Sequence, residues 1–283
     1  MTGGEEILQV TTRDGLVLTC SRFKAAQPGR VAILHSATGV RRRYYHRFCA
    51  YLAEQGISAY CYDYRGIGDS RPATLRGFQA SFSLWAVKDA QAVFDHVRTH
   101  HPGEKIAMIG HSFGGQVLGL LEGVEQVDKA LLVSAHLPSI NTFPLRTRWA
   151  GYVLWRLLIP LLTTVLGYFP SSWVGMGEPL PAGVAREWAK WGLSPRYLLD
   201  HVGENLPDRF GQVGAEITAL FISDDPLGPP LAVERLLEAL RHAKIQRVHL
   251  TPAALGKGPI GHFGAFRGTF QEALWPTMAA AVR

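Results

Sequence analysis

Cysteine is scarce in this chain, and what there is excludes a disulfide framework. Cys20, Cys49 and Cys61 are odd in number, lie in the first quarter, and show no CxxC or other metal-ligand spacing. Cys20 and Cys61 fall in apolar, strand-like runs, where a free thiol packs as a small hydrophobe. That usage favours a reducing, cytoplasmic setting, and nothing in the residues calls for a metal or a cofactor. Charge of one sign is also thin on the ground. The net charge is +6, yet the longest basic run is Arg41-Arg42-Arg43, with no zinc-finger or RNA-binding signature. The expectation is therefore no nucleic-acid partner. The start, MTGGEEILQV, is acidic and lacks both a positive n-region and an apolar h-region, so no signal peptide is expected.

Long hydrophobic runs are nearly missing too. The nearest approach is "WAGYVLWRLLIPLLTTVLGYFP", Trp149 to Pro170. Arg156 sits inside it and Pro160 is expected to cut the helix, leaving less than the roughly 18 apolar residues a span needs. The stretch reads as a buried helix, or one resting on a lipid surface, and not as a transmembrane span.

What remains is ordinary globular material, 47% hydrophobic over 283 residues, enough for a substantial core. "EILQVTTRDGLVLTCSRF" reads as a hairpin around Asp14-Gly15. "GRVAILH", "ISAYCYDY", "KIAMIG" and "KALLVSA" read as strands, the first as a continuous apolar run suited to burial on both faces. Between them, "YYHRFCAYLAEQG", a stretch from about Leu84 to His100, and "GQVLGLLEG" carry helical spacing. The alternation lapses from His136 to about Asp200 and then resumes with strand, helix, strand and helix. Strands alternating with helices imply right-handed crossovers and a mostly parallel sheet. We read an α/β core over residues 1–135 and 201–283, interrupted by a helical cap over 136–200.

Gly110-His111-Ser112-Phe113-Gly114 matches G-x-S-x-G, with a strand before it and a helix after it, the context a nucleophile elbow requires. The helix N-terminus favours developing negative charge. A serine is a weak nucleophile unless a base, itself oriented by a carboxylate, takes its proton. The expected chain order is serine, acid, histidine. "SDDPLGPP" supplies Asp224 and Asp225 at a strand's carboxyl end, and "TPAALGKGPIGHFGAF" supplies His262 between two glycines in a loop. One aspartate is expected to cap the turn, and Asp225 is favoured as the acid. For the oxyanion, the amide of Phe113 is one donor; the other comes from "HSATGVRRRYY", with Ala37 preferred over Ser36 or Thr38.

These residues together resemble the α/β-hydrolase superfamily over essentially the whole chain. "SATGVRRRYYHRFCAYLAEQGISAYCYDYRGIGDSRP" and "GHSFGGQ" are similar to a bacterial group related to the serine aminopeptidase and monoacylglycerol-lipase type. The resemblance implies an α/β-hydrolase fold of about eight strands with a cap, and leaves Asp63 and Arg65 as loop-holding residues. Many relatives carry His-Gly at the oxyanion loop where this chain has His35-Ser36-Ala37.

Three functions follow. The first is a serine hydrolase cleaving a carboxylic ester, thioester or amide through an acyl-enzyme. The second is an acyltransferase using the same three residues, and the third a non-catalytic binding protein on this fold. The substrate is expected to be a small molecule with a hydrophobic acyl part, because Trp149, Trp155, Trp173, Trp188 and Trp191 offer apolar area. His111, Arg41 and Trp155 are the candidate substrate contacts.

Overall fold

Asp14-Gly15 makes the expected turn, and the computed structural model, which describes residues 4–27, 29–203 and 206–283, builds outward from it. The N-terminal stretch read above for a signal peptide begins in residues 1–3, outside the described residues. Gly15 takes φ +83°, and β1 (Glu5–Thr11) pairs antiparallel with β2 (Val17–Phe23). The other principal strands are β3 (Arg30–His35), β4 (Ile57–Tyr62), β5 (Lys105–His111) and β6 (Val127–Val133). A two-residue pair, β7 (Tyr168–Phe169) and β8 (Leu180–Pro181), stands apart, and β9 (Glu216–Ile222) and β10 (Lys244–Leu250) complete the set. Eight strands form one sheet in the order β1-β2-β4-β3-β5-β6-β9-β10, antiparallel on both sides of β2 and parallel from β4 onward.

Period-two alternation sends successive strand residues to opposite faces, and two cores result. Val31 and Ile33 of β3 join one, with Val93, Phe94 and Val97 of α3 (Gln91–His100). Ala32 and Leu34 join the other, with Phe48 and Leu52 of α1 (His46–Glu54) and Trp275 of α10 (Gln271–Ala280). Every residue of β3 and β4 is buried, which is why both read as unbroken apolar runs. The helix read from about Leu84 begins at α2 (Phe82–Leu84), passes through a π-helical turn at Trp85–Ala90, and continues into α3.

After β5 the chain turns into a four-residue α4 (Phe113–Gln116). Between β6 and β9 it leaves the sheet, forming α5 (Leu145–Val153), α6 (Ile159–Val165) and α7 (Ala182–Leu193). Pro160 does not cut this segment, contrary to the sequence reading. A π-helical turn at Leu154–Leu158 joins α5 to α6, and residues 145–165 are helical throughout. A proline lacks the N–H that an inner turn needs; the wider π turn falls just before Pro160 and places it in the first turn of α6, where that donor is not required. No helix among the described residues is long and apolar enough to cross a membrane. The chain then closes with α8 (Pro230–Ala239), the one-turn α9 (Pro252–Leu255) and α10.

Candidate active site

Ser112 stands where β5 gives way to α4, at φ +53° and ψ −118°. Non-glycine residues avoid that region, and it persists only where the surroundings over-determine it. Here they do. A Cβ on Gly110 would lie 2.3 Å from the Cα of Gly115, and one on Gly114 would lie 2.0 Å from the carbonyl oxygen of His35. The turn is packed backbone against backbone, and the Ser112 amide ties it to β6 by donating to the Val133 carbonyl at 3.0 Å. The helix that follows is too short to offer the dipole the sequence suggested, since α4 tightens after one turn into a 3₁₀ segment, Val117–Gly119.

His262 lies in the loop beyond β10, and its Nδ1–H donates to Asp225 Oδ2 at 2.8 Å. Both side chains are almost fully enclosed, 5% and 2% exposed. The other oxygen of Asp225 accepts the amides of Leu227 and Gly228 at 2.8 and 3.0 Å. Burial alone would raise the Asp225 carboxyl; the hydrogen bond and charge of His262, with His136 and the Leu227 amide, hold it well below the usual carboxylate range. Asp224 does different work. It accepts the amides of Ile260 and Gly261 at 2.9 and 3.2 Å, pinning the loop that carries His262.

Ser112 and His262 line one partly open cavity of about 70 Å³. Ala37, Thr38 and Phe113 form part of its wall from the sheet side, and Phe143, Trp155, Trp188 and Tyr197 come from the helical segment between β6 and β9. Ser112 Oγ has no hydrogen-bond partner among the described residues, so its contact with the free Nε2 of His262 is not closed here. Such contacts are often open before substrate binds.

The serine aminopeptidase S33 family of hydrolases, by its family model, matches residues 25–170, just over half of the 283 residues. The chain belongs to that family. Solved structures agree on the fold. The Pyrococcus furiosus esterase Pf2001 is 16% identical at a TM-score of 0.63, covering 98% of this chain and 90% of that one. A putative hydrolase from Agrobacterium vitis S4 is 17% identical at 0.60, covering 99% of each chain. The α/β hydrolase GrgF from Penicillium sp. sh18 is 20% identical at 0.58, covering 97% and 96%. The family match makes this chain an α/β-hydrolase-type enzyme, and the sheet, the hairpin edge and the flanking helices carry the corresponding fold.

His111 departs from its sequence reading as a substrate contact. It is fully buried and lines no part of the cavity. Burial, reinforced by the neighbouring His262, pushes it down to about 3, so the ring is neutral. Its Nε2–H donates to the backbone carbonyl of His262 at 2.8 Å, and its Nδ1 accepts from the Tyr45 hydroxyl at 2.8 Å. That hydroxyl in turn accepts the Ala37 amide at 3.0 Å. A buried chain therefore runs from the loop after β3, through Tyr45 and His111, to the backbone of His262. It also changes the reading of Ala37: its N–H, expected to point at an oxyanion, is already engaged by a buried tyrosine. Thr38, which lines the cavity, has an amide with no partner among the described residues.

Arg41 also lies off the cavity. In this S33-family chain it is exposed and ion-paired with Glu178, in a shallow cleft with Arg267. Arg42 is buried and pairs with Asp63 and Asp69, both at 2.6 Å. Arg65 bridges Asp89 and Asp14 at 2.7 and 2.8 Å. Of the five tryptophans singled out, Trp155 and Trp188 line the cavity, Trp191 is core, and Trp149 and Trp173 are exposed. Sequence reasoning missed three polar residues of the cavity lining: His136, Gln116 and Tyr197. His136 follows β6 at the carboxyl end of the sheet, the one positional signal that points to it. Its Nδ1–H donates to the Ser134 carbonyl at 2.7 Å, and burial, then His262, lowers it to about 4.

Proposed function

We propose that this S33-family hydrolase is a serine esterase acting through an acyl-enzyme, with Ser112 as nucleophile, His262 as general base and Asp225 as its orienting acid. The observation that carries the reading is the 2.8 Å bond from His262 to a carboxylate held ionised, on a histidine that shares one cavity with a serine at a strained turn. With Nδ1–H fixed on Asp225, the proton-free nitrogen is Nε2, the form a base needs. Ser112 Oγ, rotating about χ1, gives its proton to Nε2 as it attacks the ester carbonyl. The amides of Phe113 and Thr38 are the donors for the oxyanion. The imidazolium returns the proton to the departing alkoxide, and a water repeats the sequence on the acyl-enzyme.

The helical segment over 136–200 serves as the cap, because it supplies the aromatic wall. At about 70 Å³ the cavity is far below the roughly 300 Å³ of a typical small-molecule site. An acyl chain therefore enters as the cap helices part, and the apolar lining from Phe143, Trp155 and Trp188 favours a hydrophobic acyl group. A p-nitrophenyl ester chain-length panel tests the reading. Wild type cleaves short-to-medium esters and is labelled by a fluorophosphonate, while Ser112→Ala loses about 10⁴-fold or more in kcat and is not labelled. Activity surviving in Ser112→Ala would overturn it.

A further inference from the structure

Water faces an unusual amount of apolar surface on the helical run 145–165. Of the twelve large hydrophobic residues exposed among the described residues, eight lie within it. Leu145, Trp149, Tyr152, Leu157, Leu161 and Val165 recur three to five residues apart, so they make one stripe on one side of the helix. At 1.5 Å per residue the stripe runs about 30 Å. The opposite side is built differently. Trp155, Ile159 and Thr163 are buried there, and Trp155 walls the cavity. One helix thus closes the site with one face and presents the other to solvent.

The charges around the stripe indicate what would cover it. Ile140 to Gly177 contains no aspartate or glutamate, but holds Arg146, Arg148 and Arg156. Arg146 and Arg156 are exposed and have no carboxylate partner among the described residues. Exposed Arg76 and Arg186 flank the far end, bonding to the Val165 carbonyl and to the hydroxyls of Thr163 and Thr164, not to an acid. An apolar strip that includes a tryptophan and a tyrosine, with arginines around it, is the composition of a helix that lies in a lipid interface. A second copy of the chain fits poorly. A two-fold contact through this patch would bring arginines together with no acid within it to meet them. We infer that the exposed face of residues 145–165 is a docking surface for an anionic lipid bilayer.

Vesicle co-sedimentation of the full chain tests this. Carrying Ser112→Ala leaves the outcome independent of whether the protein is an esterase. The protein should pellet with phosphatidylcholine vesicles containing phosphatidylglycerol, and at least tenfold less with phosphatidylcholine alone. Trp149→Ser with Leu157→Ser and Leu161→Ser, substitutions at exposed positions, should abolish pelleting with the thermal midpoint unchanged. Arg146→Gln and Arg156→Gln should each weaken it about fivefold and flatten its salt dependence. Three results would overturn the inference: no pelleting with either vesicle, equal pelleting of the triple-serine variant, or a concentration-dependent dimer that buries Trp149 in place of vesicle binding.

Discussion

Two adjacent aspartates with the same side chain do different jobs, and the difference lies in what each can reach. Asp225 meets the His262 ring, whereas Asp224 meets two backbone amides of the same loop. Asp225→Asn keeps the shape but leaves the imidazole free to take the wrong tautomer. We expect kcat for a p-nitrophenyl ester to fall about 10³-fold or more, with the circular dichroism unchanged. Asp224→Asn retains an acceptor for one amide and should cost less than about tenfold. Equal losses in the two variants would refute the division. From sequence both aspartates satisfy the chain order and Asp225 is the favoured one; the loop's path decides which of them meets the His262 ring.

Among the elements, the elbow is the most constrained. Gly114→Ala would drive a methyl group into the His35 carbonyl, which belongs to the central strand and cannot move aside. Overpacking against backbone that cannot yield falls at the upper end of the usual cost, about 3 kcal/mol, read as a lower urea midpoint. Gly214, with nothing within 4 Å of an added methyl and no left-handed backbone, is the control; its change to alanine should stay within about 0.5 kcal/mol. The helix over 145–165 teaches the complementary lesson. Pro160 is a helix breaker by composition, yet a π turn accommodates it, and that depends on the geometry of a whole segment.

For the molecule as a whole, buried neutral histidines set the response to acid. His35 and His111 are pushed down to about 3 and His136 to about 4, each chiefly by burial. In the unfolded chain all three titrate near the ordinary value of about 6.5. Between about pH 6.5 and 4 the unfolded state therefore binds more protons, so stability falls as pH falls through that window. At pH 4 these three sites contribute an uptake of about two protons on unfolding, and denaturant midpoints measured from pH 7 to 4 should show that slope. A flat profile would mean that the rings are charged, or open to water, in the folded state.

Much of the architecture was legible in the sequence because it rests on local rules. Periodicity marked the strands and helices, Asp14-Gly15 marked the hairpin, and G-x-S-x-G between a strand and a helix marked the elbow. The order of Ser112, Asp225 and His262 along the chain was equally readable. Residues whose roles come from distant partners were not. His111 read as a substrate contact but is bound between Tyr45 and the His262 carbonyl. Arg41 read as a substrate contact but pairs with Glu178, 137 positions away. Ala37 read as an open donor but faces a tyrosine hydroxyl. Which segments form and where the chain must turn are written in the residue order, since those depend on near neighbours. Which side chains meet across the sheet, and which face of the 145–165 helix is left to solvent, are settled in three dimensions alone, because each depends on groups brought together by closure of the fold.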